Sequence, residues 1–149
     1  MRILSGSWHR CAPRSVIALL SIWLAACGSD TTSPTSSNPV LATDTFSGSI
    51  EQNGSAVHAF TVTDSGYTVL VGFTSLSPSS VTALGLGIGS WDASTSSCSL
   101  NVSQNDAARS GNTALSGTSN SGSYCVRVYD GGNIPSGVTA AYTVQVQHY

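Results

Sequence analysis

In a series of short stretches between Ala56 and Val146 apolar residues recur at every second position, and a period of two confines a chain to strands rather than helices. Ala56, His58, Phe60 and Val62 alternate with Val57, Ala59, Thr61 and Thr63. Asp64-Ser65-Gly66 then supplies turn chemistry, and Tyr67, Val69, Val71 and Phe73 resume the alternation, which together predict a hairpin. Leu84, Leu86 and Ile88 alternate with Gly85, Gly87 and Gly89, while Leu100 and Val102 mark a short strand after Cys98. Tyr124, Val126 and Val128 precede the turn residues Asp130-Gly131-Gly132-Asn133, and Tyr142, Val144 and Val146 form a last strand. Asp106 to Ser121 holds either one more strand or only a loop. No segment offers an amphipathic helix. Six or more short strands separated by Gly, Ser, Asn and Pro predict an all-β domain, an antiparallel β-sandwich of jelly-roll type with alternate residues inward.

The N-terminus has a different pattern. Arg2, Arg10 and Arg14 precede an apolar stretch from Val16 to Leu24, which is short of the roughly 20 residues that span a bilayer. The run closes on Leu24-Ala25-Ala26-Cys27, which resembles the lipobox of a bacterial lipoprotein signal peptide. That resemblance implies removal of residues 1–26 and lipidation of Cys27. Two or more acyl chains there anchor a protein stably to a membrane without a transmembrane helix. Ordinary secretory cleavage at the same small residues is the alternative, and it leaves Cys27 as a free thiol. Gly28 and Ser29 after the cysteine, with no aspartate immediately following it, imply the outer membrane in an organism that has one, facing the periplasm or the surface. Residues 27–40 carry almost only Gly, Ser, Thr, Asp, Asn and Pro and form a flexible linker. Residues 41–149 are the sandwich domain.

The lipoprotein reading also fixes the cysteines. Of the four, Cys11 leaves with the signal and Cys27 takes the lipid, so Cys98 and Cys125 remain to form a disulfide. Outside the cytoplasm such a bridge persists, and closing a loop of this length stabilises by about 3.5 kcal/mol on the chain-entropy argument. A metal or redox pair fits poorly, because neither cysteine lies in Cys-x-x-Cys or near a histidine.

Charge narrows the partners. The chain has no lysine, and its domain carries only Arg109 and Arg127 against Asp44, Glu51, Asp64, Asp92, Asp106 and Asp130. A basic surface for nucleic acid is excluded. Catalytic chemistry is equally sparse: His58 and His148 are the candidate bases of the domain, and no serine lies in Gly-x-Ser-x-Gly. His58 shares a strand face with Phe60 and Val62, as a partly buried, hydrogen-bonded histidine does. His148 sits beside the C-terminus, where fraying works against a held base. One glutamate and scattered aspartates set up no carboxylate pair for glycoside hydrolysis. Gly85-Leu86-Gly87-Ile88-Gly89 is superficially like a nucleotide-binding loop but lacks the helix and the lysine. Alternate glycines in a strand instead let another backbone or loop approach one face. No cofactor and no metal is called for.

Two places can carry binding. Trp91 follows the glycine strand and Tyr129 precedes the Asp130 turn, so both belong near strand ends, where aromatic rings stack on sugars or pack on peptides. Asp130 and Asn133 offer oxygen ligands, too few for calcium and fully accounted for by turn geometry.

The succession Phe46-x-Gly48-x-Ile50, Gly54, Phe60-x-Val62, Gly66-x-Thr68-Val69-x-Val71, Gly122-x-Tyr124-Cys125-Val126-Arg127-Val128 and Tyr142-Thr143-Val144-x-Val146 resembles the bacterial pre-peptidase C-terminal domain. The resemblance implies a non-catalytic β-sandwich that assists secretion, localisation or target binding. Family members often carry aspartates around the fourth strand, where this chain has Thr82-Ala83-Leu84-Gly85-Leu86-Gly87-Ile88, so no calcium site is carried over. The expectation is a lipid-anchored, non-catalytic envelope module binding a protein or a polysaccharide. A purely structural envelope lipoprotein is the alternative, with a cryptic hydrolase behind it.

Overall fold

Strands form wherever branched and aromatic residues alternate with Ser, Thr, Gly and Gln, and turns form where Gly, Asn, Asp and Pro gather. The computed structural model describes residues 38–149. The stretch expected to be a signal peptide, Cys27 and nearly all of the expected linker lie outside the described residues. Eight strands run in order: β1 (Ala42–Ile50), β2 (Ser55–Val62), β3 (Tyr67–Ser77), β4 (Leu84–Asp92), β5 (Ser97–Ala108), β6 (Leu115–Ser119), β7 (Gly122–Tyr129) and β8 (Ala140–His148).

They make two four-stranded antiparallel sheets, the first ordered β1-β8-β3-β6 and the second β2-β7-β4-β5. β1 pairs with β8, β2 with β7, β3 with β6 and β4 with β5. This is one long hairpin with its tip at β4–β5, rolled up so that successive arms alternate between sheets. It is the jelly-roll order, and the expected antiparallel sandwich is what the chain forms.

Rolling corrects one local expectation. β2 and β3 are not a hairpin, because they belong to different sheets. The Asp64-Ser65-Gly66 turn is an arch between them: the Thr63 and Asp64 N–H groups donate to the Tyr149 carbonyl at 3.0 and 3.2 Å, and the Gly66 N–H to the Ser119 carbonyl at 2.8 Å. A hairpin and an arch both need a turn between two half-buried strands, so alternation alone does not separate them. The open segment after Asp106 contains β6, and the strand marked by Leu100 and Val102 is the twelve-residue β5.

The core is the inward set of both sheets. Ile50, Val69, Val71, Phe73, Leu115, Tyr142, Val144 and Val146 from the first sheet meet Phe60, Val62, Leu84, Leu86, Ile88, Val126 and Val128 from the second. Each buried Leu, Ile, Val or Phe contributes about 1.5–3 kcal/mol relative to exposure.

The glycine strand is buried on both sides. β5 is bulged against β4 between Ile88 and Ser90, and there it curls over the outer face of the second sheet. A Cβ on Gly89 would collide with the Ser99 carbonyl, and one on Gly87 would lie 2.7 Å from Leu100. Alternate glycines thus admit a neighbouring backbone, as their pattern suggests. Beside them Cys98 and Cys125 are bridged, with Cα atoms 5.8 Å apart. Cys125 is paired in register with Gly89, so the bridge crosses β4 and fastens the hairpin tip to β7.

Candidate functional site

The residues singled out for binding lie at two opposite ends of the second sheet. Tyr129 is in register with Gly85 at the start of β4, and Trp91 is near its end, paired with Cys98. At about 3.3 Å per residue that separation is roughly 20 Å, so they do not form one site.

At the first end the groups hold one another. Asp130 Oδ1 accepts the N–H groups of Gly132, Asn133 and Ile134 at 2.8, 2.9 and 3.2 Å, and Oδ2 accepts that of Asn53 at 2.9 Å. The Asn53 bond, followed by the others, holds this carboxyl below its usual range. Tyr129 lies on Gly85, where a Cβ would overlap its ring, and its hydroxyl donates to the Asp106 carboxylate. Burial, reinforced by Asp106, pushes the Tyr129 phenol up to about 12. Asn133 donates from Nδ2 to the Asp106 carbonyl at 3.2 Å, and the Arg127 guanidinium stands 6.0 Å from the Tyr129 ring. Asp130 therefore works as a backbone cap. Among the described residues no three His, Cys, Asp or Glu side chains gather as a metal site.

At the other end Trp91 is half-buried and outside the core cluster. The adjacent Asp92 caps the hairpin tip, accepting the Ser94 N–H at 2.9 Å and its hydroxyl at 2.6 Å. The Ser94 hydroxyl is the main reason its carboxyl is held low.

The domain's two histidines, His58 and His148, occupy the seam where β1 and β2, the neighbouring edges of the two sheets, meet. His58 Nε2 is 2.8 Å from the Tyr142 hydroxyl, and its ring stacks on Phe46 at 4.9 Å. Gly48 makes this possible, since a Cβ there would lie 2.6 Å from the Tyr142 hydroxyl. Burial lowers the His58 pKa and raises that of Tyr142. His148 does not fray. It is a buried member of β8, with Nε2 3.0 Å from Asp44 Oδ2 and Nδ1 without a hydrogen-bond partner. Among the described residues, neither histidine is hydrogen-bonded to a serine, threonine or cysteine.

A further site lies on the outer face of the first sheet, where sequence reasoning singles out nothing. An open pocket of about 360 Å³ is floored by β3 and β8 and walled by residues 111–113. Leu70, Thr74, Gln145 and Gln147 rise from the strands, and Asn112 and Thr113 form the wall. The wall is fixed by the Gly111 N–H donating to the Phe73 carbonyl at 2.9 Å and the Ala114 N–H to the Val71 carbonyl at 2.8 Å. It crosses so closely over Gly72 that a Cβ there would strike the Asn112 carbonyl. Gln145-x-Gln147, outward among the inward Val144 and Val146, is the signal the sequence offers: long amides on a face built mostly of Ser and Thr.

No protein-family model matches the chain, and no curated protein matches it.

Proposed function

We propose that this chain is a lipid-anchored, non-catalytic module of the bacterial envelope whose sandwich binds an envelope polysaccharide or protein. Three features support the reading. Leu24-Ala25-Ala26-Cys27 followed by a polar linker has the make-up of an exported, acylated N-terminus. The strand rhythm resembles that of pre-peptidase C-terminal domains, which act as accessories. The observation that carries the binding role is a contrast within the domain: Asp130, Tyr129, Asp106, His58 and His148 are engaged in caps and cross-strand hydrogen bonds, while the pocket beside Gln145 and Gln147 is open and uncharged. Reactive groups are committed to the fold, and the free hydrogen-bonding groups sit on a surface.

Cell fractionation tests the anchor. Cys27→Ala moves the protein from the detergent-soluble membrane fraction to the aqueous one, and a variant that stays with the membrane refutes lipidation at this residue. Retention of the native protein on cell-wall polysaccharide, or cross-linking to an envelope protein, tests the module; neither result in membrane-bound protein refutes it.

A further inference from the structure

The pocket on the outer face of the first sheet has a chemistry specific enough to name its ligand. None of its six projecting side chains, Leu70, Thr74, Asn112, Thr113, Gln145 and Gln147, is charged. The surrounding field is of the same kind: Ser47 and Thr143, in register on β1 and β8, share a hydroxyl hydrogen bond of 3.0 Å on this face. Among the described residues the side-chain amides of Asn112, Gln145 and Gln147 have no protein hydrogen-bond partner, as is also true of Gln52, Asn53 and Asn120, but the first three line one pocket, whereas those of Asn101, Asn105 and Asn133 are bonded. Each amide offers both a donor and an acceptor, as a sugar hydroxyl requires. Leu70, in register with Gln147, supplies an apolar spot for a C–H face. The volume is at the small end of ligand pockets, enough for a sugar unit rather than a bulky group.

A peptide is the less suitable occupant. An extended peptide takes its affinity from main-chain pairing at a sheet edge, and β3 is an interior strand already paired with β8 and β6. What the face presents is side-chain amide and hydroxyl groups, which answer hydroxyls directly. An anionic ligand would need a cation in the pocket, and Arg109, one residue before Ser110, is not part of the lining.

We infer that this pocket binds a neutral saccharide unit of an uncharged polysaccharide, held by Gln145, Gln147 and Asn112. This deepens the binding role proposed above and rests on it.

The test uses the mature, detergent-solubilised membrane-bound protein on an array of neutral hexose and N-acetylhexosamine oligosaccharides, uronic-acid oligosaccharides and unmodified peptides. The expected result is binding to neutral glycans alone. Gln145→Ala with Gln147→Ala weakens it by about thirtyfold, the loss of two hydrogen bonds of ordinary strength, at an unchanged thermal midpoint. Gly72→Ala also weakens it by displacing the wall, and a variant that fails to fold leaves the glutamine pair to decide. Neutral-glycan binding that survives the glutamine substitutions overturns this pocket but leaves a polysaccharide-binding module. Preference for uronic acids or peptides overturns the ligand class. If native protein binds no glycan but still cross-links to an envelope protein, the inference falls and the accessory reading stands.

Discussion

The outer faces of the two sheets use the same device to opposite ends. In the second sheet Gly89 admits the backbone of Ser99, and β5 closes down over β4 until the disulfide fastens it. In the first sheet Gly72 admits the backbone of Asn112, but the crossing segment touches only beside β3 and leaves a pocket open over Gln145 and Gln147. One face is sealed. The other is walled and left accessible. The difference lies in the chain that makes the close approach: a continuous strand with Leu100 filling the space over Gly87, or a three-residue crossing that returns to pair with Val71. A missing side chain in a strand is thus no function in itself, and its meaning depends on how much chain covers it.

The strongest way to break this contrast is to unfasten the sealed face. Cys98→Ser with Cys125→Ser, or reduction of the bridge, should cost about 2–5 kcal/mol and lower the thermal midpoint by roughly 10–20 °C. The pocket face, which shares no strand with the bridge, should keep its ligand specificity at temperatures where the variant is still folded. Calorimetry with and without reductant reads the first effect, and glycan binding the second. Equal midpoints in the bridged and unbridged proteins, or two alkylatable thiols in protein isolated without reductant, would contradict the role given to the bridge.

Much of this architecture is legible in the residues. The inward alternation of Phe60 and Val62, Val126 and Val128, and Val144 and Val146 is strong because each misplaced residue would expose a large side chain. The pairing partners are not legible. Asp64-Ser65-Gly66 serves an arch as well as a hairpin, so the rolled topology shows only in the placement of β2 beside β7 and of β3 beside β8. The candidate site divides in the same way. Asp130 and Asn133 sit in a turn whose composition already accounts for them, and the structure finds them capping backbone. The pocket depends on Asn112 meeting Gln145 and Gln147 across the fold, a proximity that no local spacing encodes. His148 is held more firmly than its position implies for a related reason: strand pairing with Ala42, more than a hundred positions away, fixes a residue whose place beside the C-terminus suggests fraying.

Trp91 sharpens the comparison at intermediate size. It lies on the sealed sheet, half-buried and outside the core cluster, far from the proposed pocket. Emptying a buried tryptophan site costs about 3–5 kcal/mol, so Trp91→Ala should cost less, about 1–2 kcal/mol, by denaturant unfolding. Glycan retention per folded molecule should not change. A loss of retention at nearly native stability would move the binding surface to the hairpin tip and remove the asymmetry between the faces.

The smallest effect concerns the seam that joins the two sheets. His58 faces Phe46 on β1 and Tyr142 on β8, with the Asp44–His148 pair on the same seam. Burial lowers its folded-state pKa below the ordinary 6.5. Above that value both folded and unfolded chains hold a neutral imidazole, and His58 adds no pH dependence. As the pH falls through it, the unfolded chain takes up a proton that the folded chain resists, so stability declines until the folded-state pKa is passed. The thermal midpoint should therefore fall on acidification below about pH 6.5. His58→Gln should flatten part of that decline. An unaltered slope in His58→Gln would show that the seam tolerates a charged imidazole, and that the Phe46 and Tyr142 contacts do not keep water from it.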